Sequence, residues 1–331
     1  MSLPLGSAEL EDVLTPRLAI VEERLRDAVG QADQLADATS KHLVNAGGKR
    51  LRPMLTLLTA QLGDGARPEV VEAAVVVELT HLATLYHDDV MDSAPTRRGA
   101  PAAHEVWGNS VAILTGDLLF ARASRVVAGL GPEAVRIQAQ TFERLCLGQL
   151  HETVGPRDGE DAVAHYIQVL ADKTGSLIAT SARFGALLAG CEPATVERVT
   201  RYGELAGVAF QLADDVIDVR SSADETGKTP GTDLREGVPT MPVLLLRQRV
   251  ASGRATAEDE KLLADIDGDL SSDEVLADVV ARLAVHPVVD ETSAKAREWA
   301  VRASESVDPL PDGPVKDALN TFADALVARA A

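Results

Sequence analysis

The residues from Pro68 to Met91 read PEVVEAAVVVELTHLATLYHDDVM and carry the clearest information on the fold class. Apolar residues recur here every three or four positions, which predicts a helix. Between Val70 and Val77 this helix is apolar nearly all round, and such a helix is buried among other helices. The stretch therefore predicts a protein built from layers of packed helices.

The rest of the chain repeats this pattern. The same spacing predicts further helices over residues 10–28, 31–45, 53–62, 111–130, 132–150, 161–188, 195–218 and 239–250. Strand-like alternation is missing from the sequence, and aromatic residues make up only 3% of it, so the core must be built from Leu, Val and Ala. We therefore expect one all-α domain over residues 1–331, with a more charged, peripheral helical region over residues 255–314.

The composition predicts an ordered protein without a transmembrane segment. Of 331 residues, 46% are hydrophobic and 25% are charged, as in soluble globular proteins. Stretches without a charged residue reach about eleven residues, whereas a spanning helix needs about 20. The N-terminus lacks the basic start and apolar run of a secretory signal. Cys146 and Cys191 have neither metal-ligand nor disulfide spacing, so we expect buried thiols and a cytoplasmic location.

The net charge limits the partners. There are 32 basic and 51 acidic residues, which gives a charge of −19 and argues against a nucleic acid partner. An anionic substrate would have to bind through local basic clusters or through metal ions that invert the local charge.

Two copies of the pattern Asp-Asp-x-x-Asp are the sharpest signal for chemistry. Asp88 and Asp92 lie one helical turn apart, as do Asp214 and Asp218, and like charges at that spacing repel. One copy on a solvated face could be inert, but two copies on apolar helices favour a bound cation. Carboxylates are ligands for Mg²⁺, which shares its remaining coordination positions with water and substrate phosphates. The pattern predicts a magnesium-held diphosphate.

The segment Gly47–Pro53, GGKRLRP, is basic. Because Pro is favoured in the first turn of a helix, we expect its cations on a loop at a helix N-terminus, where backbone N–H groups also favour anions. A solvated basic turn is the alternative, and the acidic clusters elsewhere in the chain make an anion site the better interpretation.

Other polar groups have open interpretations. Arg97 and Arg98 follow the first acidic cluster closely enough to reach the same ligand, and Lys173 to Gly175 interrupt an apolar helix, which predicts a kink. Lys228 lies in a glycine-rich stretch that is either a lid or an ordinary surface loop.

Two acidic residues and one histidine are also ambiguous. His81 lies two turns before Asp88 and is either a core histidine or a phosphate ligand; we favour the second. Glu78 and Asp117 are expected to hold Lys or Arg side chains in place.

Together these residues resemble the trans-isoprenyl diphosphate synthases, also called polyprenyl synthetases. The resemblance covers nearly the whole chain through motifs in the order GGKRLRP, ELTHLATLYHDDVMD, RRG, GD, KTGSL, GVAFQLADDVID, GKTPGTDLREG and PTMP. The spacing is most similar to that of actinobacterial long-chain members. It implies an isoprenoid-synthase-type bundle of long, mostly antiparallel helices around a deep central cavity, and a homodimer.

The resemblance also implies roles for individual residues. The metal ligands would be Asp88, Asp92, Asp214 and Asp218. The allylic diphosphate would contact Arg97, Lys173 and Lys228, with Thr174 and Gln211 close to the reacting carbons. Isopentenyl diphosphate would bind without metal to Lys49, Arg52, His81 and Arg98.

The implied reaction is Mg²⁺-dependent elongation of an allylic diphosphate by isopentenyl diphosphate. A shorter-chain farnesyl or geranylgeranyl diphosphate synthase, a class I terpene cyclase and a non-catalytic partner subunit are the alternatives. Cyclases need no second diphosphate site and usually have a different second metal motif, and an inactive subunit should have lost its aspartates. The intact basic and acidic motifs therefore favour the elongating enzyme.

Product length is expected to depend on the residues just before Asp88. In the family, bulky aromatic side chains at the positions of Ala83 and Thr84 form a floor that stops elongation early. Both side chains are small here, which implies an open passage and a long product.

Overall fold

The computed structural model describes residues 6–220 and 230–328. The helices are α1 (Ala8–Val29), α2 (Gln34–Asn45), α3 (Leu51–Ala60), α4 (Pro68–Met91), α5 (Ala103–Trp107), α6 (Asn109–Ala128), α7 (Pro132–Val154), α8 (Ala162–Leu170), α9 (Ser176–Leu188), α10 (Pro193–Arg220), α11 (Thr232–Arg235), α12 (Met241–Ala251), α13 (Ala257–Ile266), α14 (Asp273–Ala284), α15 (Pro287–Val307) and α16 (Pro314–Ala328). A π-helical turn, Ala171–Gly175, joins α8 to α9.

The all-α class is confirmed, with two local differences. Strands β1 (Thr96–Arg97) and β2 (Ala100–Pro101) form a small antiparallel hairpin that the sequence pattern did not predict, because two-residue strands are too short to show alternation. The helix expected over residues 161–188 is divided by the π-helical turn at the place where an interruption was predicted.

The described residues form two compact units. The first consists of Met1–Leu145, Ser176–Glu204 and Ser304–Phe322. Helix α4 is its centre and packs against α1, α3, α6 and α9. One cluster of its core contains apolar side chains from α4, α6, α7 and α9, namely Ala73, Val76, Val77, Val127, Ala134, Ile137, Leu145, Leu177 and Phe184.

Helix α4 is long and apolar enough to meet the length and composition criteria for a membrane span, alone among the helices of residues 6–220 and 230–328. In its most apolar 18-residue window, 72% is buried inside the protein. A core helix of a soluble protein has the same character, as the sequence predicted for this stretch.

The second unit consists of the described residues within Cys146–Gly175, Leu205–Ala303 and Ala323–Ala331. Within it α12 packs against α8 and α13, and α13 packs against α14. The Arg220 guanidinium, at the end of α10, lies 2.6 Å from a carboxylate oxygen of Asp290 on α15. This unit holds the second acidic motif.

The expectation of buried thiols was wrong. Cys146 is exposed and Cys191 is half-buried. Helical spacing places Cys146 on the same outer face of α7 as the exposed Phe142, four residues earlier. Composition predicted burial, but it does not say which face of α7 points outward.

Candidate active site

The first acidic motif ends α4, and its outer aspartates lie on an accessible face. His81, Thr84 and Asp88 are half-buried and share one stripe of the helix, and Asp92 is exposed at the C-terminal cap. The backbone N–H of Asp92 donates to the carbonyl of Asp88 over 2.8 Å. Asp88 and Asp92 thus present two carboxylates one turn apart at the helix end.

The middle aspartate of this motif has a different environment. One residue further along a helix turns the side chain by about 100°, and Asp89 is fully buried. Its Oδ1 accepts a hydrogen bond of 2.6 Å from Nε of Arg97, and its buried Oδ2 has no partner among the described residues. Asp89 therefore anchors Arg97, which is itself 22% exposed.

The segment GGKRLRP turns sharply before α3. Lys49 is exposed, whereas Arg50 is buried with φ 49° and ψ 38°, in the left-handed region. Helix α3 begins two residues earlier than predicted, so Arg52 lies in its first turn rather than on the loop. A left-handed conformation at a non-glycine residue costs about 1–3 kcal/mol, and the surrounding contacts must hold it.

Arg98 supports this loop. Its φ is 55°, and its guanidinium donates to the carbonyl oxygens of Leu43, at 3.3 Å, and Gly47. A Cβ atom at Gly48 would lie 2.8 Å from this guanidinium and would force Arg98 to shift, and the φ of 147° at Gly48 also favours glycine. The packing of Arg98 therefore favours glycine at position 48, whereas Gly47 is favoured by its own backbone conformation, with φ 80°.

Arg52 is a half-buried cation with little compensation. Its Nε is buried and has no hydrogen-bond partner among the described residues. Burial lowers the pKa of Arg52 to about 10; Glu78 opposes this shift and the charge of Arg98 adds to it. The guanidinium stays charged at neutral pH, so it favours an anion in its vicinity.

His81 lies in the field of the same arginines. Burial lowers the pKa of His81 well below its ordinary value, and the charges of Arg52, Arg98, Arg97 and Arg50 lower it further. The imidazole is therefore neutral at pH 7. It can donate one hydrogen bond to an anion, while the arginines supply the charge.

In the second unit, α10 repeats the arrangement of the first motif. Gln211, Asp214 and Asp218 are half-buried on one face, whereas Asp215 is buried. Burial raises the pKa of Asp215 well above its usual range, and the charge of nearby Asp233 adds to this. Asp214 and Asp218 are the accessible pair.

Asp215 connects three elements of its unit. The Tyr166 hydroxyl on α8 donates to its two oxygens, at 3.0 and 2.9 Å. The backbone N–H of Met241, at the start of α12, donates to Oδ2 over 3.2 Å. Asp215 therefore fixes α10 to α8 and α12.

Lys173 and Thr174 lie in the π-helical turn. Thr174 is buried and Lys173 is half-buried. The Lys173 ammonium forms an ion pair with Glu152 on α7. π-Helical turns are frequent at functional sites because the wider turn redirects side chains. Lys228, the remaining expected contact to the allylic diphosphate, lies outside the described residues.

The acidic motifs offer carboxylate oxygens, which are the ligands that Mg²⁺ prefers. Over residues 6–220 and 230–328, no group of three or more His, Cys, Asp or Glu side chains is close enough to hold a metal ion. Each motif offers a pair of accessible carboxylates, and Mg²⁺ typically uses one or two carboxylates together with substrate phosphates and water.

The expected roles of two other residues had different outcomes. Glu78 does hold an arginine, because its Oε1 lies 2.8 Å from Nη1 of Arg50. Asp117 instead lies 3.3 Å from Nε2 of His87. Glu22 also pairs with Arg50. This role could not be predicted from the sequence, because Glu22 lies on α1, outside the motifs.

The two chain-length positions differ in burial. Ala83 is fully buried, and an ideal Cβ built on Gly116 of α6 would lie 3.1 Å from its carbonyl oxygen. Thr84 is half-buried, one turn before Asp88 on the same stripe, with its hydroxyl donating to the carbonyl of His81 over 2.8 Å. Thr84 thus has the accessible side chain of the two.

Comparison with known proteins agrees with these features. The profile of the polyprenyl synthetase family matches residues 33–283. A nonaprenyl diphosphate synthase of Mycobacterium tuberculosis is 44% identical over 98% of this chain and 96% of its own.

Solved structures show the same fold. A polyprenyl synthase from Caulobacter crescentus, complexed with calcium and isoprenyl diphosphate, has a TM-score of 0.89 at 31% identity, covering 97% of each chain. A geranylgeranyl pyrophosphate synthase from Corynebacterium glutamicum, complexed with the same ligands, has a TM-score of 0.85 at 40% identity, covering 98% of each chain. Because the family profile matches residues 33–283 and the nonaprenyl diphosphate synthase is similar over nearly the whole chain, this chain belongs to the polyprenyl synthetase family.

Proposed function

We propose that the protein is a prenyltransferase that condenses isopentenyl diphosphate with an allylic diphosphate, head to tail and in trans geometry, to give a long polyprenyl diphosphate and free diphosphate. The observation that carries this proposal is that α4 bears both His81, in the field of several arginines, and the accessible carboxylates of Asp88 and Asp92. His81 lies seven residues, or about 10 Å of helix, before Asp88.

The basic cluster is the proposed site of isopentenyl diphosphate. Lys49, Arg52 and Arg98 supply positive charge and His81 a neutral hydrogen-bond donor. Burial is the largest cause of the lowered pKa of His81, and the charge of Arg52 adds to it, so the histidine lies in a positive field without any metal. A diphosphate would compensate these positive charges.

The acidic motifs are the proposed metal ligands. Asp88, Asp92, Asp214 and Asp218 would hold Mg²⁺, which supplies Lewis acidity to the leaving diphosphate. Arg97, held by Asp89, and Lys173, held by Glu152, would bind the allylic diphosphate directly. Lys228 is proposed for the same contact from the sequence alone.

The remaining chemistry rests on orientation. The allylic C–O bond breaks, and the double bond of isopentenyl diphosphate attacks the resulting carbon. We place the oxygen atoms of Thr174 and Gln211 near the developing positive charge, where their dipoles would stabilise it. The proton lost at the end would pass to the departing diphosphate.

A long product is the proposed outcome. Small side chains at Ala83 and Thr84 support it, as does the 44% identity to a nonaprenyl diphosphate synthase. A shorter-chain enzyme is the second candidate, because the Corynebacterium glutamicum structure with 40% identity is a geranylgeranyl pyrophosphate synthase.

We further propose a homodimer in the cytoplasm, with residues 1–331 acting as one domain. Exposed apolar side chains on α6 and α7 support an interface between two copies: Leu114 is 66% exposed, Ile113 42% and Phe142 36%. Patches of this kind commonly mark protein interfaces. Light scattering on the purified protein would give the oligomeric state directly.

One assay tests the function. The purified protein would be incubated with radiolabelled isopentenyl diphosphate, farnesyl diphosphate and Mg²⁺, and the products separated by chromatography. A ladder of elongated prenyl diphosphates is expected. Cyclic hydrocarbons would indicate a cyclase, and absence of turnover without a second protein would indicate a partner subunit.

A further inference from the structure

The Arg50 guanidinium lies buried in the first unit between two carboxylates, Glu22 of α1 and Glu78 of α4. We propose that this Glu22–Arg50–Glu78 triad is a positioning device: it sets the shape of the diphosphate-binding loop, and Arg50 does not itself contact the substrate. The inference rests on the proposed function, because it concerns the isopentenyl diphosphate site.

The contacts of Arg50 use all three guanidinium nitrogens. Nε donates to Glu22 over 2.5 Å, and Nη1 donates to Glu78 over 2.8 Å and to the carbonyl of Gly47 over 3.3 Å. Nη2 donates to Glu22 over 3.4 Å and to the carbonyl of Val44 over 3.2 Å. With 5% of its surface exposed, the side chain faces the protein interior.

The backbone of Arg50 governs the direction of two proposed substrate contacts. Arg50, which adopts a left-handed backbone conformation, stands in the chain between Lys49 and Arg52. Its carbonyl oxygen accepts from the Met54 N–H over 3.0 Å and so opens α3. If the side chain of Arg50 were released, the strained backbone would relax, and both Lys49 and Arg52 would change direction.

Glu78 also balances the charge of the site. It is 2% exposed, and its charge raises the pKa values of Arg52 and Arg98 against the lowering caused by their burial. A buried charge that loses its partner is strongly destabilising. Replacing Glu78 with its neutral isostere would therefore disturb the loop without adding a bulky group.

Conservative variants separate positioning from direct contact. Lys keeps the charge of Arg50 but has no planar fork to bind two carboxylates and two carbonyls. A positioning role predicts that Arg50→Lys and Arg50→Gln are impaired alike. A direct role as a phosphate cation predicts that Arg50→Lys retains affinity.

The chain also contains a matched control. Arg24 on α1 and Glu72 on α4 form an ion pair of 2.7 Å between the same two helices, away from the loop. Arg24→Gln and Glu72→Gln remove an α1–α4 ion pair while leaving the GGKRLRP contacts in place.

The test measures binding of isopentenyl diphosphate by calorimetry with all metal chelated, together with KM for both substrates in the elongation assay. We expect Arg50→Lys, Arg50→Gln and Glu78→Gln each to weaken isopentenyl diphosphate binding by about tenfold or more, with the allylic KM changed less than about twofold. Glu22 is the more exposed carboxylate of the triad, so Glu22→Gln serves as the milder variant if the others unfold. It is expected to weaken isopentenyl diphosphate binding in the same way but to a smaller extent. The control variants should match the wild type.

The outcomes are distinguishable. If wild-type protein does not bind isopentenyl diphosphate without metal, the proposed function of this site fails. If it binds and the triad variants bind equally well, or if Arg50→Lys alone retains full affinity, the positioning role is overturned.

Discussion

The Oδ1 atom of Asp89 lies 2.6 Å from Nε of Arg97, and the Asp89 carboxylate has no exposed surface. The middle aspartate of the first acidic motif is thus bonded to a neighbouring cation, while Asp88 and Asp92 on either side of it remain accessible. In the second motif Asp215 is likewise buried, against Tyr166. The same three-aspartate pattern therefore combines two functions. The two outer aspartates are the proposed metal ligands, and the buried middle aspartate anchors a neighbouring side chain.

Replacing Asp89 with Asn should separate these functions. The neutral side chain keeps the shape but weakens the bond to Arg97, so we expect KM for the allylic diphosphate to rise by about tenfold. The Mg²⁺ concentration for half-maximal activity should stay the same. A large shift in Mg²⁺ dependence, like that of an Asp88 variant, would instead identify Asp89 as a ligand.

Removing an outer aspartate should abolish elongation and leave the fold intact. Asp88→Ala and Asp214→Ala are each expected to lower kcat by more than about a hundredfold, because a proposed metal ligand is lost. Stability should change little, since removing one carboxylate relieves repulsion at i,i+4 spacing. Kinetics at saturating Mg²⁺ and thermal unfolding check this. Turnover near that of the wild type would contradict the metal assignment.

Truncating the basic side chains should affect one substrate selectively. Lys49→Ala and Arg52→Ala are expected to raise KM for isopentenyl diphosphate by about tenfold and to leave the allylic KM nearly unchanged. The reason is that the two carboxylates beside this loop, Glu22 and Glu78, are both paired with Arg50 and so do not serve as metal ligands. Lys41→Ala, which removes an exposed pair with Asp37 on α2, is the control. Equal changes in both KM values would argue against a separate site.

His81 should make the folded protein sensitive to acid. Its pKa is lowered in the folded state by burial and the neighbouring arginines, whereas in the unfolded chain it is about 6.5. As the pH falls below about 6.5, the unfolded state binds a proton that the folded state does not, so stability is lost. Lowering the pH from about 7.5 to about 5 should reduce the Tm of both proteins, and we expect the reduction to be a few degrees smaller for His81→Asn than for the wild type. Identical pH profiles would refute this.

Product length should respond to the accessible position more cleanly than to the buried one. Thr84→Phe adds a ring on the same stripe as Asp88, so we expect shorter products with the first condensation largely intact. Ala83→Phe is also predicted to shorten the product, but it overpacks a fully buried site and should destabilise the protein by about 1–3 kcal/mol. Chromatography and thermal unfolding measure both effects. Unchanged product length in Thr84→Phe would contradict the passage beside α4.

Helical periodicity accounts for what could be predicted from the sequence. Because side chains rotate by about 100° per residue, the accessible pairs Asp88–Asp92 and Asp214–Asp218 follow directly from their spacing. The interruption at Lys173 could also be located, since a lysine and a glycine break an apolar run, although its π-helical geometry could not.

Contacts distant in sequence could not be predicted in this way. The left-handed backbone of Arg50 depends on Glu22 and Glu78, each 28 residues away, and the packing of Arg98 under Gly48 connects a loop to a hairpin. Neither contact produces a periodic pattern in the sequence, so the contacts that hold the GGKRLRP loop could be identified only from the structure.

The burial of α4 has a consequence for synthesis of the chain. Part of its apolar surface is covered by Leu177 and Phe184 of α9, which leaves the ribosome about 100 residues later. At a translation rate of about 5–20 residues per second, that surface stays uncovered for roughly 5–20 s. Nascent α4 is therefore expected to be a preferred binding segment for ribosome-associated chaperones until α9 has emerged.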